Sequence, residues 1–66
     1  MPAFTGPMTN KDVIDLRGAG LDDDNLIAAI KDATTVNFDL SPAGLKALLT
    51  AKVSNRVITA MRAKAP

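Results

Sequence analysis

Apolar residues recur along this chain at two different periods. Val13, Ile14 and Leu16, then Leu26, Ile27 and Ile30, then Leu45, Leu48 and Leu49, and finally Val57, Ile58 and Met61 form groups that each contain residues three or four apart, the spacing of one helix face. Between the second and third groups the period drops to two, where Val36, Phe38 and Leu40 alternate with Asn37 and Asp39. That alternation is the mark of an extended segment with one face on a core. The pattern predicts four short helices and an extended linker over residues 34–40.

The polar residues between these groups place the ends of the helices. Thr9-Asn10-Lys11-Asp12 reads as a capping box with Asp12 in the place usually held by Glu, so the first helix starts near Asn10. Gly18-Ala19-Gly20 ends it, because glycine adopts the left-handed conformation of a helix C-terminus without strain. Asp22, Asp23, Asp24 and Asn25 supply acceptors for the free amides of a second helix, expected from about Asp23 to Ala33. Ser41 caps the third, with Pro42 at its first position, where a missing N–H costs nothing. Lys52 stands where the first half has Gly20, a weaker stop, and Val53-Ser54 reads as a turn and new cap before a fourth helix from about Asn55 to Ala63. Residues 1–8, with prolines and a glycine closely spaced, read as a flexible arm that Phe4 anchors.

The two halves align with each other. A shift of 32 positions pairs Thr9 with Ser41, Val13 with Leu45, Leu16 with Leu48, Ala19 with Ala51 and Leu21 with Val53. One extra residue among the aspartates changes the shift to 31, which pairs Leu26 with Val57, Ile27 with Ile58 and Ile30 with Met61. The expected fold class is therefore all-α: two tandem helical hairpins, residues 9–33 and 41–64, joined by the linker 34–40 and related by a pseudo-twofold axis within one domain, 9–64. Neither hairpin has enough apolar positions to be stable alone, so the two must pack together.

Composition narrows the function classes. A chain of 66 residues buries only about 60% of the surface its unfolded form exposes, and no cysteine is present to staple it. Docking on a partner or on another copy relieves such a deficit. His, Cys, Trp, Tyr and Glu are all absent, which removes the usual proton shuttles, thiolate nucleophiles and imidazole ligands, so no enzyme, no catalytic residue and no cofactor is expected. No window approaches the apolar length of a membrane span, and Met1–Asn10 has no signal-peptide pattern, which favours the cytoplasm.

Charge is divided between the halves. Residues 1–40 carry three basic and seven acidic side chains, whereas residues 41–66 carry five basic and no acidic ones. Such asymmetry suits docking of one half on the other, or head-to-tail contact between molecules.

Each cluster with chemical potential has a simpler structural reading. The aspartate run lacks the alternating donors, central glycine and distal bidentate acid of a calcium loop, so it reads as helix capping and no metal is expected. Gly20-Leu21 followed by Leu26 and Ile30 has the spacing of a helix-turn-helix unit, but its second helix begins with three aspartates, which phosphates repel. Only the basic helix 55–63 has charge suited to nucleic acid, and binding there is the alternative reading rather than the expected one.

The pattern Thr9-x-x-Asp12-Val13-Ile14-x-Leu16-x-x-Ala19-Gly20-Leu21, then Phe38-Asp39-Leu40-Ser41, then Leu45-x-x-Leu48-x-x-Ala51-x-Val53-Ser54-x-x-Val57-Ile58-x-Ala60-Met61 resembles a small tandem helical-hairpin repeat module widespread in bacterial proteins. The resemblance covers roughly Met8 to Ala63, and Lys52 departs from the glycine usual at its position. It implies a recruitment, assembly or peptide-binding role and carries over no catalytic residue. The expected function is thus a small interaction or assembly module for a protein or peptide partner, or for itself as a homo-oligomer. Val36, Phe38 and Leu40 are expected to supply apolar contact and Arg56 and Arg62 charge. A structural subunit of a larger complex is the remaining alternative.

Overall fold

The computed structural model describes residues 6–65, and within them the chain runs β1 (Met8–Thr9), α1 (Asn10–Gly18), α2 (Asp23–Asp32), β2 (Val36–Asn37), α3 (Pro42–Thr50) and α4 (Asn55–Lys64). The four helices begin and end where their caps place them. Asp12 accepts from the Thr9 N–H at 2.9 Å and from its hydroxyl at 3.3 Å at the start of α1. Asp22 accepts from the Asn25 N–H at 2.9 Å, while Ser41 and Ser54 accept from Gly44 and Val57, each at 3.4 Å. Apart from the hydroxyl contact, each of these bonds occupies an amide that the first turn of a helix cannot pair internally.

The α1–α2 and α3–α4 turns share one hydrogen-bond pattern. Gly20 and Leu21 donate to Arg17 and Leu16, each at 3.1 Å; Lys52 and Val53 donate to Leu49 and Leu48, each at 3.0 Å. These paired bonds make a Schellman motif, whose penultimate residue takes positive φ. Gly20 sits at φ 104° and Lys52 at φ 71°. The weaker stop expected at Lys52 is therefore built like the first one, with a lysine in the conformation glycine favours.

Two helices form the centre. Ser54, the cap of α4, donates to Asp23 at the start of α2 at 2.8 Å, and Lys64 at the end of α4 donates to the Lys31 carbonyl near the end of α2 at 3.0 Å. Contacts at both ends make α2 and α4 run side by side in the same direction, and this is the most extensive helix pairing in the molecule. Val13, Leu26 and Ile30 from the first half meet Leu48, Val53, Val57 and Met61 from the second, all buried to within 1%. Leu49, placed on the inner face by spacing alone, instead turns 52% of its surface outward.

Three expectations change. The domain is mostly helical but not purely all-α, because β1 and β2 pair as parallel strands, Met8 against Val36 and Thr9 against Asn37. Met8, assigned to the arm, is 3% exposed and belongs to the core. Residues 1–5, with the expected anchor Phe4, lie outside the described residues. The extra residue among the aspartates also has a different explanation. The caps Asp22 and Ser54 are 32 apart, as in the rest of the repeat, whereas the buried pairs Leu26/Val57 and Ile30/Met61 are 31 apart. Nothing is inserted in the loop; α4 turns its inner face by one residue, about 100°. Among the described residues no helix is long and apolar enough to cross a membrane.

Candidate functional site

Successive residues of a strand direct their backbone groups to opposite sides. The Met8 N–H donates to the Thr35 carbonyl at 3.0 Å, so in β2 and its flanks the groups of Thr35, Asn37 and Asp39 face β1. The N–H and C=O groups of Val36 and Phe38 therefore face away, on an edge that no other strand covers among the described residues.

The outer edge of β1 is closed by contrast. Pro7 has no N–H to offer, and the Thr9 N–H is taken by Asp12. The pairing of β1 with β2 is lengthened by a side chain, since the Asn10 amide donates to the Asp39 carbonyl at 2.8 Å and accepts from the Asp39 N–H at 3.0 Å. Asn10 has already entered α1, and its side chain completes a ladder its own backbone has left. No local spacing marks this role, because the two residues stand 29 apart in the chain. Asp39 then turns its carboxylate forward to the Ser41 N–H at 3.0 Å, and the Ser41 hydroxyl followed by that N–H holds the carboxyl below its ordinary range.

The side chains follow the alternation read from the sequence. Val36, Phe38 and Leu40 are half-buried against the core, while Thr35, Asn37 and Asp39 are exposed. Arg56 lies elsewhere. It pairs with Asp24 at 2.8 Å at the N-terminal end of α4, and that hydrogen bond followed by the Asp24 charge raises its already high pKa. β2 leaves from the C-terminal end of α2, so roughly 15 Å of helix separates Arg56 from the strand edge. Arg62 is exposed in the last turn of α4, nearer that end, and makes no ion pair among the described residues. The expected site residues thus divide into a strand group and a helix pair whose first member is already partnered.

An open concavity of about 420 Å³ is lined by Arg17, Gly20, Asp22, Asp23, Asp24 and Arg56. Its three acids are all engaged: Asp22 caps α2, Asp23 accepts from Ser54, and Asp24 pairs with Arg56. Asp23 and Asp24 join the acidic half to the basic half within one molecule. Among the described residues no cluster of three or more His, Cys, Asp or Glu is placed to hold a metal ion.

No protein-family model matches the chain, and no curated protein or solved structure does so either.

Proposed function

We propose that this chain is a non-enzymatic interaction module that captures an extended segment of a protein along the outer edge of β2. The observation that carries this reading is the inequality of the two strand edges: β1 is closed by Pro7 and by the Thr9–Asp12 bond, while Val36 and Phe38 present unpaired donors and acceptors. An added strand gains affinity from main-chain hydrogen bonds and selectivity from alternate side chains. Here alternate side chains of the guest would meet the apolar row Val36, Phe38 and Leu40 on one face and the polar row Thr35, Asn37 and Asp39 on the other.

The scaffold behind this edge is a duplicated helical hairpin, residues 9–33 and 41–64, with a pseudo-twofold relation. Its support is the identical bonding of the two turns and the like direction of α2 and α4. Arg62 adds charge near the same end, whereas the Arg56 charge is spent on Asp24. A nucleic-acid surface on α4 loses its leading cation to that pair, which leaves the strand edge as the better-supported interface.

Titration of the 15N-labelled chain with an acetylated, amidated peptide of alternating threonine and valine tests the reading. Amide resonances of Val36 and Phe38 are expected to move, with little change at Met8 and Thr9. Shifts confined to the α2 and α4 starts, or none from a chain shown to be monomeric, would reject it.

A further inference from the structure

We infer that the segment received along β2 is the β2 edge of a second copy of this chain, docked antiparallel with Asn37 opposite Asn37 of that copy. The inference rests on the strand-capture reading above and names its partner.

The geometry comes from which groups face outward. Val36 and Phe38 each offer one donor and one acceptor. An antiparallel pair centred on Asn37 sets Val36 against Phe38 of the other copy, and the reverse, and four backbone hydrogen bonds then use every outward donor and acceptor of the two residues. Asn37 is also the middle of the extended stretch 34–40, so this register pairs the whole stretch reciprocally and leaves no overhang.

Side chains agree with that register. On the inner face it brings Phe38 beside Val36 of the other copy, an aromatic against a β-branched residue, the combination that stabilises cross-strand pairs. On the outer face Asp39 meets Thr35, whose hydroxyl can donate to the carboxylate, and the two Asn37 amides face each other. A slip that centres the pair on Asp39 instead sets carboxylate against carboxylate. The centred register sets no like charges against each other, and both copies use the same patch, as a twofold contact requires.

The same arrangement limits its own growth. Each copy has one open edge, and joining two of them leaves a four-stranded sheet whose outer strands are both β1. Their edges carry Pro7 and the occupied Thr9 N–H, so no third copy can add. A dimer rather than a fibre is the outcome.

The tests use the intact chain, with mass measured by light scattering and refractive index because it has no Trp or Tyr. The wild type is expected at twice the chain mass as concentration rises. Val36→Pro removes an outward N–H but none of the ladder donors Met8, Asn37 and Asp39, so it is expected to be monomeric with an unchanged far-ultraviolet circular dichroism spectrum. Asn37 is exposed and, among the described residues, without a side-chain bond, so Asn37→Asp and Asn37→Lys should each fold normally and each be monomeric. Mixed together they should recover a dimer, because carboxylate now faces ammonium. A wild-type chain that stays monomeric, a dimer indifferent to Val36→Pro, or a mixture that fails to recover mass would overturn self-pairing. The threonine–valine peptide separates the two levels. If it still moves Val36 and Phe38 while the chain is monomeric, strand capture stands and the identity of the guest is wrong; if neither occurs, both fall.

Discussion

At the start of α1 the Thr9 N–H is bonded by Asp12, three residues ahead, and at the start of α3 the corresponding Ser41 N–H is bonded by Asp39, two residues behind. The repeat places Gly44 where Asp12 stands, and the space a side chain would need at 44 is filled by the backbone of Asp39. The same unpaired amide must be satisfied in both halves, but the acid that serves it has moved across the cap. It moves because β2 brings Asp39 over the first turn of α3, held there by the Asn10 side chain. The two halves therefore share the requirements of the backbone and differ in the residues that meet them.

The largest effect should come where the halves differ in facing. If α4 is turned by one residue relative to α2, the buried positions of α2 are Leu26 and Ile30, and Leu26→Ala is expected to cost about 2–5 kcal/mol as a filled core site becomes a cavity. Ile27→Ala, at the half-buried neighbour, should cost clearly less. Urea unfolding followed by circular dichroism measures both, and equal costs would mean that the inner face of α2 has been wrongly drawn.

Next in size is Gly44→Ala. Alanine normally strengthens a helix relative to glycine, by about 0.5–1 kcal/mol, and Gly18→Ala, with open space around it, should show that gain. At Gly44 a methyl group would overlap the Asp39 carbonyl, so the sign reverses and a loss of about 1–3 kcal/mol is expected. Opposite signs for one substitution at two helical glycines would separate a packing requirement from helix propensity. The turns supply a smaller pair of the same kind. Gly20→Ala, at φ 104°, should destabilise by about 1–2 kcal/mol, and Lys52→Gly, at φ 71°, should stabilise by a similar or smaller amount while keeping the Lys52 carbonyl that Arg17 binds at 3.3 Å. Calorimetric midpoints moving in opposite directions would show that both turns hold one backbone shape irrespective of the residue.

Helix boundaries were legible because their signals are local: Asp12, Asp22, Ser41 and Ser54 each accept from an amide three residues away. The strand pair was not legible for the opposite reason. β1 is two residues long, sits beside Pro7 in a stretch that reads as loop, and finds its partner at Val36 far along the chain. The alternation of Val36, Phe38 and Leu40 correctly indicated which side chains turn inward, but period alone cannot say which backbone edge is covered. That depends on the partner strand and on Asn10. Leu49 was misplaced because spacing puts it beside Leu45 and Leu48 but does not say how much of that face the neighbouring elements cover; in α4 three apolar residues, Val57, Ile58 and Met61, are all buried. The charge split of the halves was readable, yet its resolution into an Arg56–Asp24 pair depends on α2 and α4 running side by side.

The smallest expected effect isolates what the migrated cap contributes. The Ser41 hydroxyl and then its N–H stabilise the ionised form of Asp39, so its carboxyl titrates lower in the folded chain than in the unfolded one. At a pH between those two values the unfolded chain binds more protons, and stability must rise with pH through that window. The contribution is complete above the ordinary carboxylate range, near pH 4, and disappears as pH falls through the lower folded value. Asp39 is exposed, so the effect should be small and reduced by salt. Asp39→Asn keeps an acceptor for the Ser41 N–H but removes the titration. The difference in urea midpoint between wild type and this variant should be constant at neutral pH and shrink steadily as the solution is acidified. A difference that stays constant down to pH 2, or grows on acidification, would mean that the carboxylate is not the acceptor that replaces Asp12 in the second half.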